Sequence, residues 1–273
     1  MTHHRLFDPR RMDREHVAAL VLPAVVGVIV AVGWEVLVRV ADIPVYVLPG
    51  PLRIVARLAE EWDTLSASLL VTLRITAMAL AAAAIVGGGL AMLFAQSRWI
   101  EASLFPYAVV LQVTPIVAIA PLILIYVPDT EMALLLCAWL VAFFPILSNT
   151  TLGLRSVDRG MVDLMRLYRA SRWQILWHLR MPAALPYFLA GLRIAGGLSL
   201  IGAVVAEFTA GTAAGGSGLA YRILESSYRL DIPRMYAALL LLTSTGIAIF
   251  MTLSALSYAL LHRWHESAGG PER

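Results

Sequence analysis

The sequence predicts an all-α membrane protein with six transmembrane helices and both termini in the cytoplasm. Of its 273 residues, 60% are hydrophobic and only 14% are charged, and the mean hydropathy is +0.78. A soluble domain of this length needs a larger charged surface than this composition supplies. Lipid is therefore the expected solvent, and a single membrane domain is the expected organisation.

Six segments are long and apolar enough to cross a bilayer, which takes about 20 mostly apolar residues. They are Val17–Val40, Leu69–Phe94, Ala102–Val127, Met132–Leu152, Tyr187–Phe208 and Met235–Leu261. The third contains Pro106, Pro115 and Pro121, so we expect it to be broken and supported by neighbouring helices.

The distribution of arginine predicts the orientation. Residues 155–186 carry six arginines against two aspartates, and the first 16 residues carry four more arginines. The connections between spans 1 and 2 and between spans 3 and 4 are acidic on balance. The positive-inside rule then places residues 1–16, 155–186 and 262–273 in the cytoplasm, around a membrane domain over residues 17–261.

Several functions are excluded by composition. All 21 cationic residues are arginine, so no Walker A lysine is present and the chain has no P-loop ATPase site. One cysteine, Cys137, offers neither a disulfide nor a cysteine zinc site, and a net charge of +3 does not indicate nucleic-acid binding. The run Gly215–Gly218 contains a G-x-S-G pattern, but every histidine falls in a predicted cytoplasmic segment, away from Ser217. We expect no catalytic site and no bound cofactor or metal.

The connections outside the spans also have helical patterns. After span 1, Ile54, Leu58, Trp62 and Leu65 recur at helical spacing and predict an amphipathic helix on the outer surface. The connection between spans 5 and 6 is glycine-rich and then amphipathic, which predicts a loop followed by a short helix.

The segment between spans 4 and 5 is too patterned for a passive loop. Asp158 is placed to cap a helix that starts at Arg159, and Ser171 with Gln174 fits a capping box that starts a second helix. Pro182 is expected to end or kink this second helix near Met181. Apolar side chains on both helices favour a docking element over a solvated basic loop; they are Leu164, Leu167, Ile175 and Leu179.

Polar side chains within spans each need a partner or a water-filled cavity. Glu35 and Arg39 are expected to pair, and Arg74 and Arg193 are interpreted as snorkelling from span ends. Glu207 has two interpretations of equal weight, a gate or interface group and a buried structural hydrogen bond. The candidates for a translocation pathway are Gln112, Thr114, Asn149 and Thr150, for which helix–helix hydrogen bonding is nearly as good an explanation. Gly87–Gly89 is interpreted as a close helix contact.

The cytoplasmic segment resembles the signature of type I ATP-binding-cassette importer permeases, which is E-A-A, three residues, glycine, nine residues and I-x-L-P. That register falls on Asp163-Leu164-Met165, Arg169 and Leu179-Arg180-Met181-Pro182. The spacing is kept, whereas only the proline is identical. The flanking stretches FFPILSNTTLGLRSVD, PAALPYFLAGLRIAGG and QVTPIVAIAPLILIY resemble the nitrate, sulfonate, taurine and thiamine-pyrimidine-precursor branch, and the resemblance extends from Ile43 to Tyr258.

This resemblance implies a role and a set of partners. The residues implied to couple to an ATPase are Asp163, Leu164, Met165, Leu167, Arg169, Ala170, Ser171, Leu179 and Pro182. The implied partners are a second permease subunit, expected to be a copy of the same chain, two ATPase subunits carrying ATP and Mg²⁺, and a periplasmic or lipid-anchored binding protein. The implied activity is import of a small organic or anionic solute across a bacterial inner membrane by alternating access. An ion-coupled transporter or channel is the alternative, but it lacks an acidic residue near mid-span.

Overall fold

A computed structural model describes residues 9–211 and 218–265, and all regular structure in these ranges is helical. The helices are α1 (Pro9–Val40), α2 (Pro51–Glu60), α3 (Trp62–Gln96), α4 (Arg98–Val113), α5 (Ile116–Tyr126), α6 (Thr130–Arg155), α7 (Arg159–Leu167), α8 (Arg172–Ile175), α9 (Met181–Ala210), α10 (Leu219–Tyr228) and α11 (Ile232–His265). A π-helical segment, Leu176–Arg180, joins α8 to α9. The predicted tails are described only at residues 9–16, which form the start of α1, and at 262–265, which end α11. The G-x-S-G serine lies outside the described residues.

Within the described residues, five helices are long and apolar enough to cross a membrane. They are Val21–Val40, Trp62–Gln96, Thr130–Arg155, Arg172–Ala210 and Ile232–His262. Each contains most of one predicted span. The first and fourth of the predicted connections are shorter than expected because α3 and the α8–α9 helix begin before the apolar core of their spans.

The third predicted span is two helices rather than one. α4 and α5 meet at an angle of 101°, and counting the pair as one span gives six. Thr114 has an extended backbone (φ −74°, ψ 123°), the conformation imposed on a residue before proline, and Pro115 has no N–H to continue the α4 ladder. Pro106 and Pro121, in contrast, lie inside α4 and α5, so Pro115 alone breaks the span.

The chain divides into two compact units, of which the larger comprises residues 62–225 and 238–273. Its core is formed by α3, α6 and α9, which approach closely because small residues line their contacts. A Cβ on Gly202 would lie 2.8 Å from the Cα of Ala138, and one on Gly87 would lie 3.2 Å from the carbonyl oxygen of Phe143. Gly87 is therefore a close-packing residue, as expected, whereas a Cβ on Gly89 would meet no atom within 4 Å, so the expected close contact does not extend to Gly89. Cys137 is fully buried in the same core.

Polar contacts join the helix ends of this unit. At one end, Arg180 donates to the carbonyl oxygen of Ala95 at 2.6 Å, and Arg155 forms an ion pair with Glu101. The end of α3, the start of α4 and the α7–α9 segment therefore lie together. This agrees with the six-span topology, in which both segments face the same side of the membrane.

The smaller unit comprises residues 1–61 and 226–237. Glu35 pairs with Arg39 at 2.7 Å, as predicted, and also accepts a hydrogen bond from the N–H of Leu52 at 3.2 Å, which caps the start of α2. Arg57 binds Asp231 at 2.6 Å, and this hydrogen bond raises the pKa of the Arg57 guanidinium. The predicted amphipathic helix ends earlier than expected, at Glu60.

Candidate functional site

α7 is a short helix with a defined stop at each end. The Asp158 carboxylate accepts a hydrogen bond from the N–H of Gly160 at 2.5 Å, which confirms the predicted N-cap. At the other end Arg169 has φ +58°, and the N–H groups of Arg169 and Ala170 donate to the carbonyls of Arg166 and Met165 at 2.8 and 3.0 Å. This pattern is the Schellman termination, in which glycine is the usual residue at the left-handed position.

The capping box that starts α8 is confirmed, but the helix after it is not a separate short one. The Ser171 hydroxyl accepts from the N–H of Gln174 at 3.2 Å, and the Gln174 side chain accepts from the N–H of Ser171 at 2.7 Å. The chain then continues through the π-helical segment into α9, so of the two predicted effects of Pro182, an end or a kink, the end is wrong and the kink stays a prediction. The N–H of Met181 donates to the carbonyl of Leu176, five residues back, and this wider turn accommodates a proline that has no N–H.

The apolar side chains of this segment divide between two faces. Val162, Ile175 and Leu176 are buried, and Leu179 and Pro182 are half-buried at the base of the fifth span. The prediction that Ile175 contributes to a docking surface is therefore wrong, because its side chain packs inward. The exposed apolar residues are Met161, Leu164, Leu167, Tyr168, Trp173 and Trp177.

The exposed aromatic residues were not predicted. Trp173 and Trp177 are four residues apart, so they share one side of the α8–π helix, and this spacing was a readable signal in the sequence. Leu167 and Tyr168, the last residue and the C-cap of α7, are each 81% exposed, and neighbouring exposed apolar side chains of this size indicate an interaction surface.

The polar members of the predicted coupling set face outward. Asp163 is exposed and pairs with Arg166 at 3.2 Å, and an exposed pair of this kind contributes little to stability. Ser171 is exposed, whereas Met165 and Ala170 are half-buried. The set is thus brought together on one segment, with Asp163, Leu164 and Leu167 on its accessible side.

The predicted pathway residues do not all meet. Gln112 and Thr114 line a cavity of about 290 Å³ at the break between α4 and α5, together with Pro145 and Leu198. Asn149 does not line it; its amide donates to the carbonyl of Pro145 at 2.8 Å. Thr150 is buried, also outside the lining, and its hydroxyl has no hydrogen-bond partner among the described residues.

Glu207 lies in a buried hydrogen-bond network and is only 2% exposed. It accepts from the Thr72 hydroxyl at 2.7 Å and from the N–H of Ala220 at 3.0 Å, and the Thr72 oxygen accepts from the N–H of Leu219 at 2.9 Å. Two otherwise unpaired N–H groups at the start of α10 are thereby satisfied. These contacts agree with the interpretation of Glu207 as a buried structural hydrogen-bonding group. The Glu207 side chain also occupies the space that a side chain at position 218 would need.

Two intramembrane arginines differ in their surroundings. Arg74 forms an ion pair with Glu131 at 3.0 Å. Arg193 lies near the middle of α9 rather than at its end, with its guanidinium 6.0 Å from the centre of the Phe250 ring. The interaction observed for Arg193 is a cation–π contact, and snorkelling from a span end stays a prediction.

The long apolar helices of the fold define a multi-pass membrane protein. A family model described as "Binding-protein-dependent transport system inner membrane component" matches residues 66–268, and the chain belongs to this family. It is similar to a probable ABC transporter permease protein of Haemophilus influenzae, with 31% identity over 240 residues, which are 88% of this chain and 94% of that protein.

Further relatives and one solved structure agree. The chain is 32% identical over 267 residues to the riboflavin transport system permease protein RibX of Chloroflexus aurantiacus, covering 94% of this chain and 95% of that one. It is 31% identical over 240 residues to the formylaminopyrimidine transport permease protein ThiX of Halalkalibacterium halodurans, covering 88% and 94%. A crystal structure of an amino acid ABC transporter with histidines shares the fold, with a TM-score of 0.59, 16% identity, and coverage of 76% of this chain and 96% of that chain.

The chain is therefore a permease subunit of an ATP-binding-cassette importer in the bacterial inner membrane. Membership of this family favours the importer over the ion-coupled alternative. The ATPase of such an importer is a separate subunit, and the permease itself is not an enzyme.

Proposed function

We propose that residues 159–182 dock onto the ATPase subunit and transmit its closure to the membrane helices. The observation that carries this proposal is the exposed apolar surface of α7, formed by Leu164, Leu167 and Tyr168 on a helix that is capped at both ends. Exposure of these apolar side chains to water is unfavourable, and burial against a protein partner would remove them from water.

The route from the docking surface into the membrane is short. Four residues separate the end of α7 from Arg172, and from Arg172 the chain is helical without interruption to Ala210. Val162 and Ile175 are buried and hold the segment against the membrane domain. A displacement of α7 is therefore passed to the base of the fifth span through packed side chains and a continuous helix, which is the type of contact that carries coupling between sites.

The experiment compares Leu164→Asp and Leu167→Asp with Leu230→Asp as a matched control. All three leucines are exposed, so none of the variants disturbs a core. Burial of a leucine stabilises a contact by about 1.5–3 kcal/mol, and a buried carboxylate costs more. We expect Leu164→Asp and Leu167→Asp to bind the ATPase at least roughly tenfold more weakly, with loss of uptake.

The readouts are co-purification of the cognate ATPase and uptake of solute into proteoliposomes. Leu230→Asp should retain ATPase co-purification. Normal assembly and uptake in both α7 variants would remove this segment as the coupling element.

The assembly that fits this function has two permease subunits, here two copies of this chain, with two ATPase subunits that bind ATP and Mg²⁺ and a periplasmic or lipid-anchored binding protein. Both termini are on the cytoplasmic side.

Val113, Val117 and Ile125 are exposed on α4 and α5, and we assign this apolar surface to the contact between the two copies. In a Cys137→Ser background, Val113→Cys should then give a cross-linked dimer on oxidation.

For the solute we propose a small organic molecule, with a heterocycle preferred over an inorganic anion. The cavity at the α4–α5 break is lined mostly by apolar side chains, with Gln112 and Thr114 as its polar side chains and no ionisable residue in its lining. An anion held there would lack a compensating cation. RibX and ThiX are named for riboflavin and formylaminopyrimidine transport, which supports the same class. A thermal-shift screen of the cognate binding protein tests it, and stabilisation by nitrate or sulfonates alone would contradict it.

A further inference from the structure

A second cavity lies where the end of α3 and the start of α4 meet the α7–α9 segment. Its volume is about 510 Å³, within the range of roughly 300–1,000 Å³ that small ligands occupy. Its lining includes Arg98, Arg166, Arg172 and Arg180, and no carboxylate residue belongs to that lining. We call the space lined by these four residues the arginine cavity.

Three of the four arginines of this cavity have no counterion among the described residues. Glu101 is engaged by Arg155, and the exposed Asp163 pairs with Arg166. In the part of the chain that the structure describes, Arg98, Arg172 and Arg180 have no ion pair. Several guanidinium groups sharing one partly enclosed space repel one another, so an anion bound among them would be stabilised.

Two buried donors at the same place also need acceptors. Arg180 donates from Nη1 to the carbonyl of Ala95 at 2.6 Å, but its Nε is buried and has no hydrogen-bond partner among the described residues. Gln96 also lines the cavity, and its side-chain nitrogen is likewise buried without a hydrogen-bond partner among the described residues. Leaving buried donors unpaired costs free energy. A phosphate group supplies several acceptor oxygens in the geometry that guanidinium groups match.

The surroundings of the cavity indicate where the phosphate comes from. Trp99 lines the cavity and is 85% exposed, and Tyr107 and Val110 continue from it as an exposed apolar stripe along α4. Tryptophan and tyrosine prefer the headgroup level of a bilayer. A polar, cationic cavity that opens onto an apolar helix surface fits a molecule with an anionic head and an apolar tail.

We propose that the arginine cavity binds the phosphate of an anionic phospholipid, whose acyl chain lies along the exposed face of α4. An acidic side chain of a protein partner is the competing occupant. The lipid is favoured because the exposed stripe beside the cavity belongs to a membrane helix, whereas Leu164 and Leu167, the exposed apolar residues of α7, do not line it.

The test uses the double variant Arg98→Gln/Arg172→Gln, which removes two charges and leaves the structural contact of Arg180 intact. Arg98→Lys/Arg172→Lys keeps the charges, and Arg53→Gln is a control for loss of an exposed arginine elsewhere. Native mass spectrometry of the purified permease, titrated with phosphatidylglycerol or phosphatidylcholine, measures lipid binding. Each cation near a lipid surface contributes about a fivefold factor, so the double glutamine variant should bind phosphatidylglycerol roughly thirtyfold more weakly.

The remaining arms separate the possible occupants. The lysine variant and Arg53→Gln should retain binding of phosphatidylglycerol, phosphatidylcholine should bind weakly throughout, and inorganic phosphate should compete with the lipid. Equal phosphatidylglycerol affinity in the wild type and the double glutamine variant would overturn the proposal. If the permease bound inorganic phosphate but did not bind phosphatidylglycerol, the lipid assignment would be overturned. Loss of ATPase co-purification in the double variant, with lipid binding unchanged, would assign the cavity to a protein partner instead.

Discussion

Arg169→Gly tests whether the termination of α7 is strained. Arg169 occupies the left-handed region at φ +58°, where a residue with a Cβ is disfavoured by about 1 kcal/mol relative to glycine. Its side chain is exposed, and within the described residues it makes no ion pair. Glycine should therefore remove the strain without removing a contact of the chain itself.

The expected effect is a more stable end of α7. About 1 kcal/mol corresponds to a roughly fivefold smaller opening constant at 25 °C, so the amides of Tyr168, Arg169 and Ala170 should exchange roughly five times more slowly in the glycine variant. Hydrogen exchange measured by mass spectrometry on the purified permease resolves a difference of this size.

Two control variants separate strain from the loss of a side chain. Arg169→Ala keeps the Cβ and should exchange at the wild-type rate. Arg166→Gly places glycine inside α7, where it costs about 1 kcal/mol, and should exchange faster. Exchange in Arg169→Gly that is as fast as in the wild type would refute the argument from backbone strain. If Arg169→Gly and Arg169→Ala both lose the ATPase, the arginine side chain contacts that subunit directly.

Three further predictions follow from other parts of the chain. Glu207→Gln replaces an acceptor with an amide that can satisfy only one of its two donors, so it should lower stability by about 1–3 kcal/mol; a thermal-unfolding assay measures this, with Thr72→Ser as a mild control, and unchanged stability with lost uptake would favour the gate interpretation. A reporter inserted at Arg159 should report the cytoplasm and one at Trp62 the outside, because arginine is concentrated in the former segment; an external signal at Arg159 would contradict the topology. The purified chain should hydrolyse no ATP in a coupled assay, since it has no lysine for a phosphate loop; activity in a pure sample would contradict the subunit assignment.

Features that depend on nearby residues could be predicted from the sequence. Asp158 and the Ser171–Gln174 capping box are local patterns, and both form the expected hydrogen bonds. The spans could be predicted because lipid demands long apolar helices whatever their neighbours are. The sequence identified Pro115, Pro106 and Pro121 equally as possible breaks. Only Pro115 breaks the span, since tertiary packing, which local sequence does not specify, decides where a proline is tolerated within a helix.

Features that depend on distant residues could not be predicted in the same way. Glu207 had no partner nearby in the sequence, and its partner Thr72 lies 135 residues away. The continuity of α8 with α9 depends on the π-helical turn at Leu176–Arg180, and no residue pattern in the sequence predicts such a turn. The arginine cavity joins Arg98 to residues more than 60 positions later, so the sequence showed only an excess of positive charge.

The two ends of the fifth span have different physical roles under the proposed coupling. Glu207 fixes the far end of α9 through buried hydrogen bonds to Thr72 and to the start of α10. At 1.5 Å per residue this anchor lies roughly 40 Å along the helix from Met181. The near end, by contrast, contacts the α7 segment, whose exposed pair Asp163–Arg166 and exposed leucines add little to the stability of the isolated chain. The same near end is held to the membrane domain by buried Ile175 and Leu176 and by the hydrogen bond from Arg180 to the carbonyl oxygen of Ala95. Under the proposed coupling, these contacts pass a displacement of α7 to the cytoplasmic end of the fifth span, while the Glu207 network resists movement of the far end. Under this hypothesis Glu207 contributes to transport by fixing the far end of α9, and it need not contact the solute.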